Sequence, residues 1–471
     1  MISVVSKRLY NSSFLRHASS HAQFKYCVLP NKSYLHIKGP DTVKFINGLI
    51  SSKMLPTYVK KNLTTISVDD ESPSEHIAVK DFDMTQGNWG VFKEFGENGP
   101  YISRFGTYTG LLNSKGKLIT DAIIYPIPMW VASIEERRYP EYLVEVDQNI
   151  SEQMDRTFNS HTLVSKVKCR KEPAGKLKTW YLSIAFPDGA SEENPWISNL
   201  IEPMERLKAP EASLQFAKHV LTTFFAGSEH KILGCFIDPR VTESLYEHSS
   251  APQVFRVVTK ADVTDLSDIF NAPEMPFEFH KQQINVSDVR HERFAYGFVD
   301  GLADFKQETV LPLELNFDFI PNAVSFDKGC YVGQELTART FATGILRKRA
   351  VPVILDGWQQ LLEVDLQSEK YLRIYAENSG DQALPVSGTS GPFEAKASKT
   401  KKRLRPAGSL LCFERERGVA ILRTEYFADA FGGSGSHSAP EFYIEVPQTG
   451  QTVKVIPQRP RWYEEWQEGE E

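Results

Sequence analysis

The chain of 471 residues is 41% hydrophobic and 24% charged, a balance that is ordinary for a globular protein and excludes wholesale disorder. Its net charge of −6 at pH 7 gives no overall positive surface for nucleic acid, so no nucleic-acid partner is expected. The longest uncharged apolar run, AIIYPIPMWVASI from Ala122, is too short to span a bilayer, and no membrane insertion is expected either.

The first twenty residues have a composition of their own. They include Lys7, Arg8, Arg16 and six serines, whereas the first carboxylate of the chain is Asp41. A basic, serine-rich and acid-free start with apolar side chains on one helical face is typical of a mitochondrial transit peptide. We predict a presequence over residues 1–20, cleaved near 16–20. The alternative is a basic tail without a targeting role.

The pattern that follows predicts a mixture of strands and helices. Residues 34–37 alternate as a short strand, and Asp41 is placed to cap a helix with an apolar face. Residues 64–88 are polar and rich in turn formers, which predicts an inserted loop. From Tyr101 onward, two apolar runs around the turn NSKGK predict a β-hairpin, followed by the strand EYLVEVD and by a helix over 213–221.

After about Arg349 the pattern is mostly β. It is interrupted near 377–406 by a Gly-, Pro- and Ser-rich stretch with a basic end, which we predict to be a disordered, solvated insertion. Length and pattern together predict an α+β protein of two or three domains. We place a larger mixed region at 21–344, with a further insertion near 187–210, and a smaller β-rich domain at 345–471.

The five cysteines are widely separated. The nearest pair, Cys169 and Cys235, is 66 residues apart, and no Cys-x-x-Cys pair or Cys/His cluster occurs. Local spacing therefore indicates neither a zinc site nor a four-thiolate iron–sulfur site. The odd count and low density favour a reducing compartment over a disulfide scaffold.

One cysteine stands in an unusual setting, DKGCYVGQELTART, residues 327–340. Gly329 and Gly333 bracket Cys330 and permit a sharply turning backbone that a ligand can approach closely. The run GQELTAR can form a short helix with Cys330 just ahead of its positive end. Together with Lys328 and Arg339, that helix would favour thiolate over thiol, although Asp327 opposes this effect.

The same stretch allows an ordinary structural interpretation. Gln334 and Glu335 could hydrogen-bond the edges of a heterocycle, or could merely hold the loop. Glu335 and Arg339 also form an i,i+4 pair, which needs no function. Because a lone cysteine is more often a small buried hydrophobe than a reactive group, the residues alone leave both interpretations of Cys330 open.

Three stretches resemble one known family. They are LHIKGPDTVKFINGLIS, YTGLLNSKGKLITDAIIY and, from Leu311, LPLELNFDFIPNAVSFDKGCYVGQELTARTFATGILRKR. They resemble the folate-binding family related to the glycine-cleavage aminomethyltransferase, in its branch with a Lys-Gly-Cys-aromatic-x-Gly-Gln-Glu motif. The likeness covers most of residues 33–350 outside the insertions. With its presequence, the chain is similar to mitochondrial members of that branch, which help to mature iron–sulfur proteins.

The resemblance implies a fold and a site. The fold would be a pseudo-ring of α+β modules with a C-terminal β-barrel, and tetrahydrofolate would bind in the central opening. Glu314 matches the carboxylate that holds the pterin, a role in which it would accept paired hydrogen bonds from an aminopyrimidinone edge; otherwise it is a solvated strand-end carboxylate. The branch signature, with Cys330 as its functional thiol, maps onto Lys328, Gly329, Cys330, Tyr331, Gly333, Gln334, Glu335 and Arg339.

The resemblance also implies a function. The chain would act in the mitochondrial matrix, together with iron–sulfur assembly proteins, on apo forms of [4Fe–4S] proteins. These clients would be aconitase-type and radical-SAM enzymes such as lipoate and biotin synthases. Cys330 would be a transient cluster ligand or a redox-active thiol, and no resident metal is expected.

One departure from the aminomethyltransferase pattern bears on the chemistry. Two adjacent carboxylates follow the hairpin turn in that enzyme, whereas here the pair is Thr120 and Asp121. Losing one carboxylate weakens the case for retained aminomethyl chemistry. Asp121 could line the pocket or cap the following strand. A folate-dependent one-carbon transferase with an incidental Cys330, and an adaptor with a relict pocket, stay open as alternatives.

Overall fold

A computed structural model of the chain describes residues 21–55, 90–127, 129, 139–187, 189, 191–364, 371–377, 405–431, 440–447 and 449–470. The predictions of a presequence over 1–20 and of an inserted loop over 64–88 lie outside the described residues, as does nearly all of the predicted insertion near 377–406. Among the described residues, no helix is long and apolar enough to cross a membrane.

The chain divides into two compact units that are interleaved along the sequence. The first unit comprises Met1–Val289, Gln307–Pro312 and Phe317–Thr343, and the second comprises Arg290–Lys306, Leu313–Asn316 and Gly344–Glu471. The second unit thus includes two short segments that precede residue 344, which the sequence pattern did not indicate.

Two five-stranded sheets and a short hairpin form the framework of the first unit. Its strands are β1 (His21–Leu29), β2 (Lys32–Lys38), β3 (Val91–Lys93), β4 (Tyr101–Ser103), β5 (Thr107–Leu112), β6 (Leu118–Pro126), β7 (Glu141–Asp147), β8 (Lys168–Lys171), β9 (Leu177–Ala185), β10 (Ile232–Ile237), β11 (Gln253–Lys260) and β12 (Glu278–Gln283). One sheet has the order β10-β11-β9-β1-β12, the other β5-β6-β7-β2-β8, and β3 pairs with β4. All pairs are antiparallel except β1 with β12.

In the described part of the first 343 residues, seven helices alternate with these strands along the chain or follow them. They are α1 (Thr42–Asn47), α2 (Ser151–Ser160), α3 (Glu202–Glu205), α4 (Pro210–Phe225), α5 (Thr242–Glu247), α6 (Val286–Ala295) and α7 (Gln334–Thr343). The predicted helix over 213–221 is therefore the middle of a longer α4, which begins at Pro210, a favoured first helical position.

The hairpin that the sequence predicts around NSKGK is confirmed. Strands β5 and β6 pair in antiparallel register, with Gly110 opposite Asp121. The side-chain amide oxygen of Asn113 accepts hydrogen bonds from the backbone N–H groups of Lys115 and Lys117, which fixes the turn. Every residue of β6 is buried, as expected for a strand covered on both faces.

The prediction that the Asp41 side chain caps α1 is wrong. The helix does follow Asp41, but no side-chain hydrogen bond caps it. The φ and ψ angles of Asp41 are −94° and 7°, which is not the extended conformation of a usual N-cap. Its carboxylate instead accepts the backbone N–H of Lys166 at 2.6 Å.

The stretch near 187–210, predicted as an insertion, contributes to the core of the first unit. Helical turns at Ile197–Ile201 and α3 bury the side chains of Trp196, Ile197, Leu200, Ile201 and Met204. They pack in a cluster with Phe24, Trp180 and Phe270. Burying each large side chain stabilises the fold by about 1.5–3 kcal/mol before entropy is counted.

The second unit contains a closed six-stranded barrel. Its strands are β13 (Lys348–Asp356), β14 (Leu372–Glu377), β15 (Gly408–Glu414), β16 (Arg417–Arg423), β17 (Glu441–Glu445) and β18 (Thr452–Pro457), in the order β13-β16-β15-β14-β17-β18. Pairing of β13 with β18 closes the barrel, so no edge is left open. The short helices α8 (Phe427–Phe431) and α9 (Tyr463–Glu470) complete the unit. The predicted α+β class with a C-terminal β-barrel is confirmed.

Candidate functional site

Cys330 is the exposed thiol of this chain. All five cysteines lie in the described residues and all are unpaired; Cys27, Cys235 and Cys412 are buried and Cys169 is half-buried. Burial raises the pKa of Cys169 to about 12 and that of Cys235 further, so these thiols stay protonated at neutral pH. Cys330 therefore does not occupy a core position, and the buried-hydrophobe interpretation of this residue is wrong.

Lys328 anchors the loop before Cys330. Its Nζ donates to the carbonyl oxygens of Asn47 at 2.7 Å, Ile50 at 2.5 Å and Ser52 at 2.8 Å, which uses all three ammonium N–H bonds. The ammonium also lies 4.3 Å from the ring centroid of Tyr331. Lys328 thus ties the motif to residues 47–52.

The predicted positive field at Cys330 needs a correction. Burial lowers the pKa of Lys328 to about 7, and its ammonium is directed at backbone carbonyls. Arg339 pairs with Glu335 at 2.8 Å on the surface of α7, with both side chains more than half exposed. Both cations therefore have partners other than Cys330. The short helix itself forms as predicted, beginning at Gln334.

An ion pair fixes the first residue of the motif. Asp327 Oδ1 lies 2.6 Å from Nζ of Lys53, which is also 2.8 Å from Glu94 Oε1. Ser325 Oγ donates to the same oxygen of Asp327 at 3.1 Å. Burial and then the neighbouring Asp327 raise the pKa of Glu94. Burial alone would also raise the pKa of Asp327, but hydrogen bonds and Lys53 hold it below its ordinary value.

The two glycines of the motif differ in what they require. Gly333 has φ +79°, and a Cβ there would lie 2.4 Å from the carbonyl oxygen of Asn113 in the β5–β6 turn. Gly116 in that turn has φ +76°, and its Cβ would lie 2.9 Å from Leu336 Cβ of α7. A Cβ on Gly329 would meet nothing within 4 Å. The hairpin turn and the motif therefore pack glycine against glycine, and of the two motif glycines only Gly333 requires the absence of a side chain.

Tyr331 and Gln334 occupy the start of α7. Tyr331 is buried, which raises the pKa of its hydroxyl to about 12. Gln334 is half-buried and its backbone N–H donates to the carbonyl of Tyr331, whereas Glu335 is exposed. Their expected contacts with a ligand stay predictions.

Asp121 lies inside β6 and does not cap a strand, so the capping alternative is wrong. It is 4% exposed, and its Oδ2 accepts the hydroxyl of Tyr108 at 2.9 Å. The guanidinium of Arg240 lies 5.0 Å from the Tyr108 ring centroid and pairs with Asp238 at 2.7 Å. Burial opposes ionisation of Asp238, yet Arg240 keeps its pKa below the ordinary value. A buried row of polar and charged side chains therefore leads from Asp121 through Tyr108 and Arg240 to Asp238.

Glu314 belongs to the second unit, where it lies in a 3-10 turn, Leu313–Leu315. It is 6% exposed, and its Oε1 is 3.2 Å from Nζ of Lys348 on β13. The alternative of a solvated strand-end carboxylate is therefore wrong. Its contact with a pterin stays a prediction.

Sequence reasoning missed four of these side chains: Lys53, Glu94, Tyr108 and Arg240. Lys53 and Asp327 are 274 positions apart, and no local pattern marks such a pair. Tyr108 offered a faint signal, because strand residues of one hairpin that face the same side lie near each other.

Comparison with known proteins gives the family. The mitochondrial iron–sulfur cluster assembly factor IBA57 of Saccharomyces cerevisiae is 46% identical over 455 residues, which cover 94% of this chain and 90% of that protein. The chain belongs to the IBA57 family. The mitochondrial IBA57 homologue of Candida glabrata is 40% identical over 481 residues, which cover 99% of this chain and 95% of that protein. The mitochondrial IBA57 homologue of Kluyveromyces lactis is 42% identical over 444 residues, which cover 92% of this chain and 93% of that protein.

Membership of the IBA57 family confirms the resemblance drawn from the motif and shows that the protein is mitochondrial. No family model matches the chain. Among solved structures, the glycine cleavage aminomethyltransferase T of Bartonella henselae superposes with a TM-score of 0.49 at 7% identity, over 93% of this chain and 86% of that one.

Proposed function

We propose that this chain acts in the mitochondrial matrix in the assembly of [4Fe–4S] proteins, with the thiol of Cys330 as its functional group. One observation carries the proposal: the exposed thiol lies on a loop whose neighbours are fixed by buried contacts. Packing alone gives no reason to expose a cysteine on so firmly held a loop. A fixed, accessible sulfur is what a metal or a partner thiol can reach.

The chemistry of one thiol limits its role. Iron–sulfur clusters are held by several thiolates, so Cys330 can supply one ligand of a cluster that is shared with an assembly protein or with an apo client. The alternative role is that of a redox-active thiol. The clients are [4Fe–4S] enzymes of the aconitase and radical-SAM types, including lipoate and biotin synthases.

We also propose tetrahydrofolate as a ligand. Two residues, each taken within its own unit, suit its chemistry: Asp121 and Glu314 are buried carboxylates, and either could accept paired hydrogen bonds from the N–H edge of a pterin. The motif residues Lys328, Gly329, Tyr331, Gly333, Gln334, Glu335 and Arg339 stay proposed as cofactor-binding residues. When bound, the folate would supply a one-carbon acceptor or a structural element.

Complementation with Cys330→Ser tests the function. In cells that lack the protein, we expect the variant to accumulate normally because Cys330 is exposed, while aconitase and lipoate-dependent activities stay lost. Cys169→Ser, at a half-buried thiol outside the motif, is the matched control and should rescue both activities.

Full rescue by Cys330→Ser would refute the role of the thiol. The folate-dependent transferase makes the opposite prediction: Cys330→Ser works and Asp121→Asn fails. Measuring both variants beside the protein level separates the two functions.

A further inference from the structure

Residues 47–53 form a platform under the loop that carries Cys330. Besides the three carbonyls that accept from Lys328, the backbone N–H of Val332 donates to the carbonyl of Gly48 at 3.2 Å. The backbone N–H of Ser325 donates to the carbonyl of Ser51 at 3.0 Å, and the Ser51 hydroxyl donates to the carbonyl of Ala323 at 2.6 Å. The platform therefore meets the loop on both sides of Cys330.

Lys53 ends this platform and is its only charged side chain. The side chain is 4% exposed, and its Nζ lies between Glu94 Oε1 and Asp327 Oδ1, at 2.8 and 2.6 Å. It also lies 5.7 Å from the ring centroid of Phe92 on β3. One buried cation thus connects the platform, the end of β3 and the start of the motif.

The backbone that carries Glu94 is fixed by Asn322. The backbone N–H groups of Glu94 and Phe95 both donate to Oδ1 of Asn322, at 2.5 and 3.1 Å, and Asn322 itself adopts φ +62°. The loop is therefore attached to the end of β3 at residue 322 and again, through Lys53, at residue 327. Asp327 is the more exposed partner, because its side chain is 51% exposed whereas that of Glu94 is 18% exposed.

Two ionised carboxylates that converge on one point repel each other, and a cation between them offsets that repulsion. Without the charge of Lys53, Asp327 would turn toward water and draw its loop off the platform, three residues before Cys330. Glu94 would stay, because the backbone around it is held by Asn322.

We propose that Lys53 is a positioning residue: its ammonium holds Asp327 beside Glu94 and so fixes where the Cys330 thiol is presented to the cluster or to the partner thiol. The proposal rests on the function proposed above for Cys330. Its ammonium contacts Glu94, Asp327 and the Phe92 ring, so Lys53 would act on the thiol through Asp327.

The test compares Lys53→Met, which keeps the length and apolar stem, with Lys53→Arg, which keeps the charge. Lys44→Met, at an exposed lysine on α1, is the matched control. In the purified protein we expect Lys53→Met to speed amide hydrogen exchange of residues 325–333 by about tenfold, while strands β6 and β9 stay protected. In cells with equal amounts of each variant, the client activities with Lys53→Met should fall toward those with Cys330→Ser. The client activities with Lys53→Arg and with Lys44→Met should match those with the wild type.

A double variant separates charge from packing. Replacing Glu94 by glutamine in the Lys53→Met background removes one of the two repelling carboxylates, so part of the exchange protection and of the client activity should return. If Lys53→Met does not accumulate, Asp327→Asn weakens the same ion pair at its exposed end and should speed the same exchange.

Three results would overturn the proposal: normal exchange and client activity in Lys53→Met, equal failure of Lys53→Arg, or no recovery in the double variant. Failure of the proposed function is distinct. Rescue by Cys330→Ser would remove the role of the thiol, whereas the exchange of residues 325–333 would still report whether Lys53 fixes the loop.

Discussion

Replacing Gly333 by alanine should destabilise the first unit strongly, although it adds one methyl group to a half-buried position. At φ +79° an L-residue costs roughly 1–2 kcal/mol. The new Cβ would also lie 2.4 Å from the carbonyl oxygen of Asn113 and 2.8 Å from Leu112 Cβ, both in the hairpin. Backbone cannot yield as a flexible side chain does, so this overlap adds roughly 1–3 kcal/mol. The free energy of unfolding should fall by roughly 2–5 kcal/mol.

Urea unfolding followed by tryptophan fluorescence measures this change. With a slope of about 3 kcal/mol per molar urea, the midpoint should fall by roughly 1 M. Gly329→Ala is the internal control, because a Cβ there meets nothing and φ lies outside the left-handed region. We expect it to change the free energy of unfolding by less than about 0.5 kcal/mol. Two results would refute the packing of the motif on the hairpin. One is an equal effect of the two substitutions. The other is a Gly333→Ala midpoint within 0.2 M of wild type, roughly the error of the method.

Two further predictions concern buried polar groups of the first unit. Burial lowers the pKa of Lys93 to about 7. Between pH 7 and about 9.5, Lys93 is therefore protonated in the unfolded chain and largely neutral in the folded one. Because the unfolded state binds the extra proton, the free energy of unfolding rises with pH over this range. Lys93→Met should flatten that rise by up to about 1.4 kcal/mol per pH unit; an unchanged slope in urea unfolding at several pH values would contradict it. Tyr108→Phe removes a donor to the buried carboxylate of Asp121 and should cost about 1–3 kcal/mol in the same assay, whereas a cost below about 0.5 kcal/mol would show that water replaces the hydroxyl.

Local patterns predicted local structure well. The β5–β6 hairpin followed from two apolar runs around a turn. In that turn the Asn113 side chain accepts a backbone N–H and Gly116 adopts a positive φ, as turn residues of these types commonly do. Helix α7 followed from GQELTAR, and the β-rich character of the C-terminal domain from its pattern, whereas its closure into a barrel was implied by the family resemblance. In each case the residues that decide the structure are neighbours in the chain.

The chemistry of the site was predicted less well, because it depends on contacts between distant segments. Lys328 was expected to act on Cys330 through its charge, but the carbonyls of residues 47–52 take its three donors. The need for glycine at 333 and not at 329 is set by the turn at 113, more than 200 positions away. A sequence shows which residues can donate or ionise, and only the fold shows which partners they meet.

The interleaving of the two units has a genetic consequence. The stretch 317–343, which carries Cys330, is bounded in the chain by Leu313–Asn316 and by Gly344–Glu471, both of which belong to the second unit. No single cut can yield two fragments that each hold a whole unit, so loss-of-function alleles need not cluster around the motif. A missense change that unfolds the barrel releases both ends of the stretch that presents the thiol, and can abolish activity without touching a residue of the site.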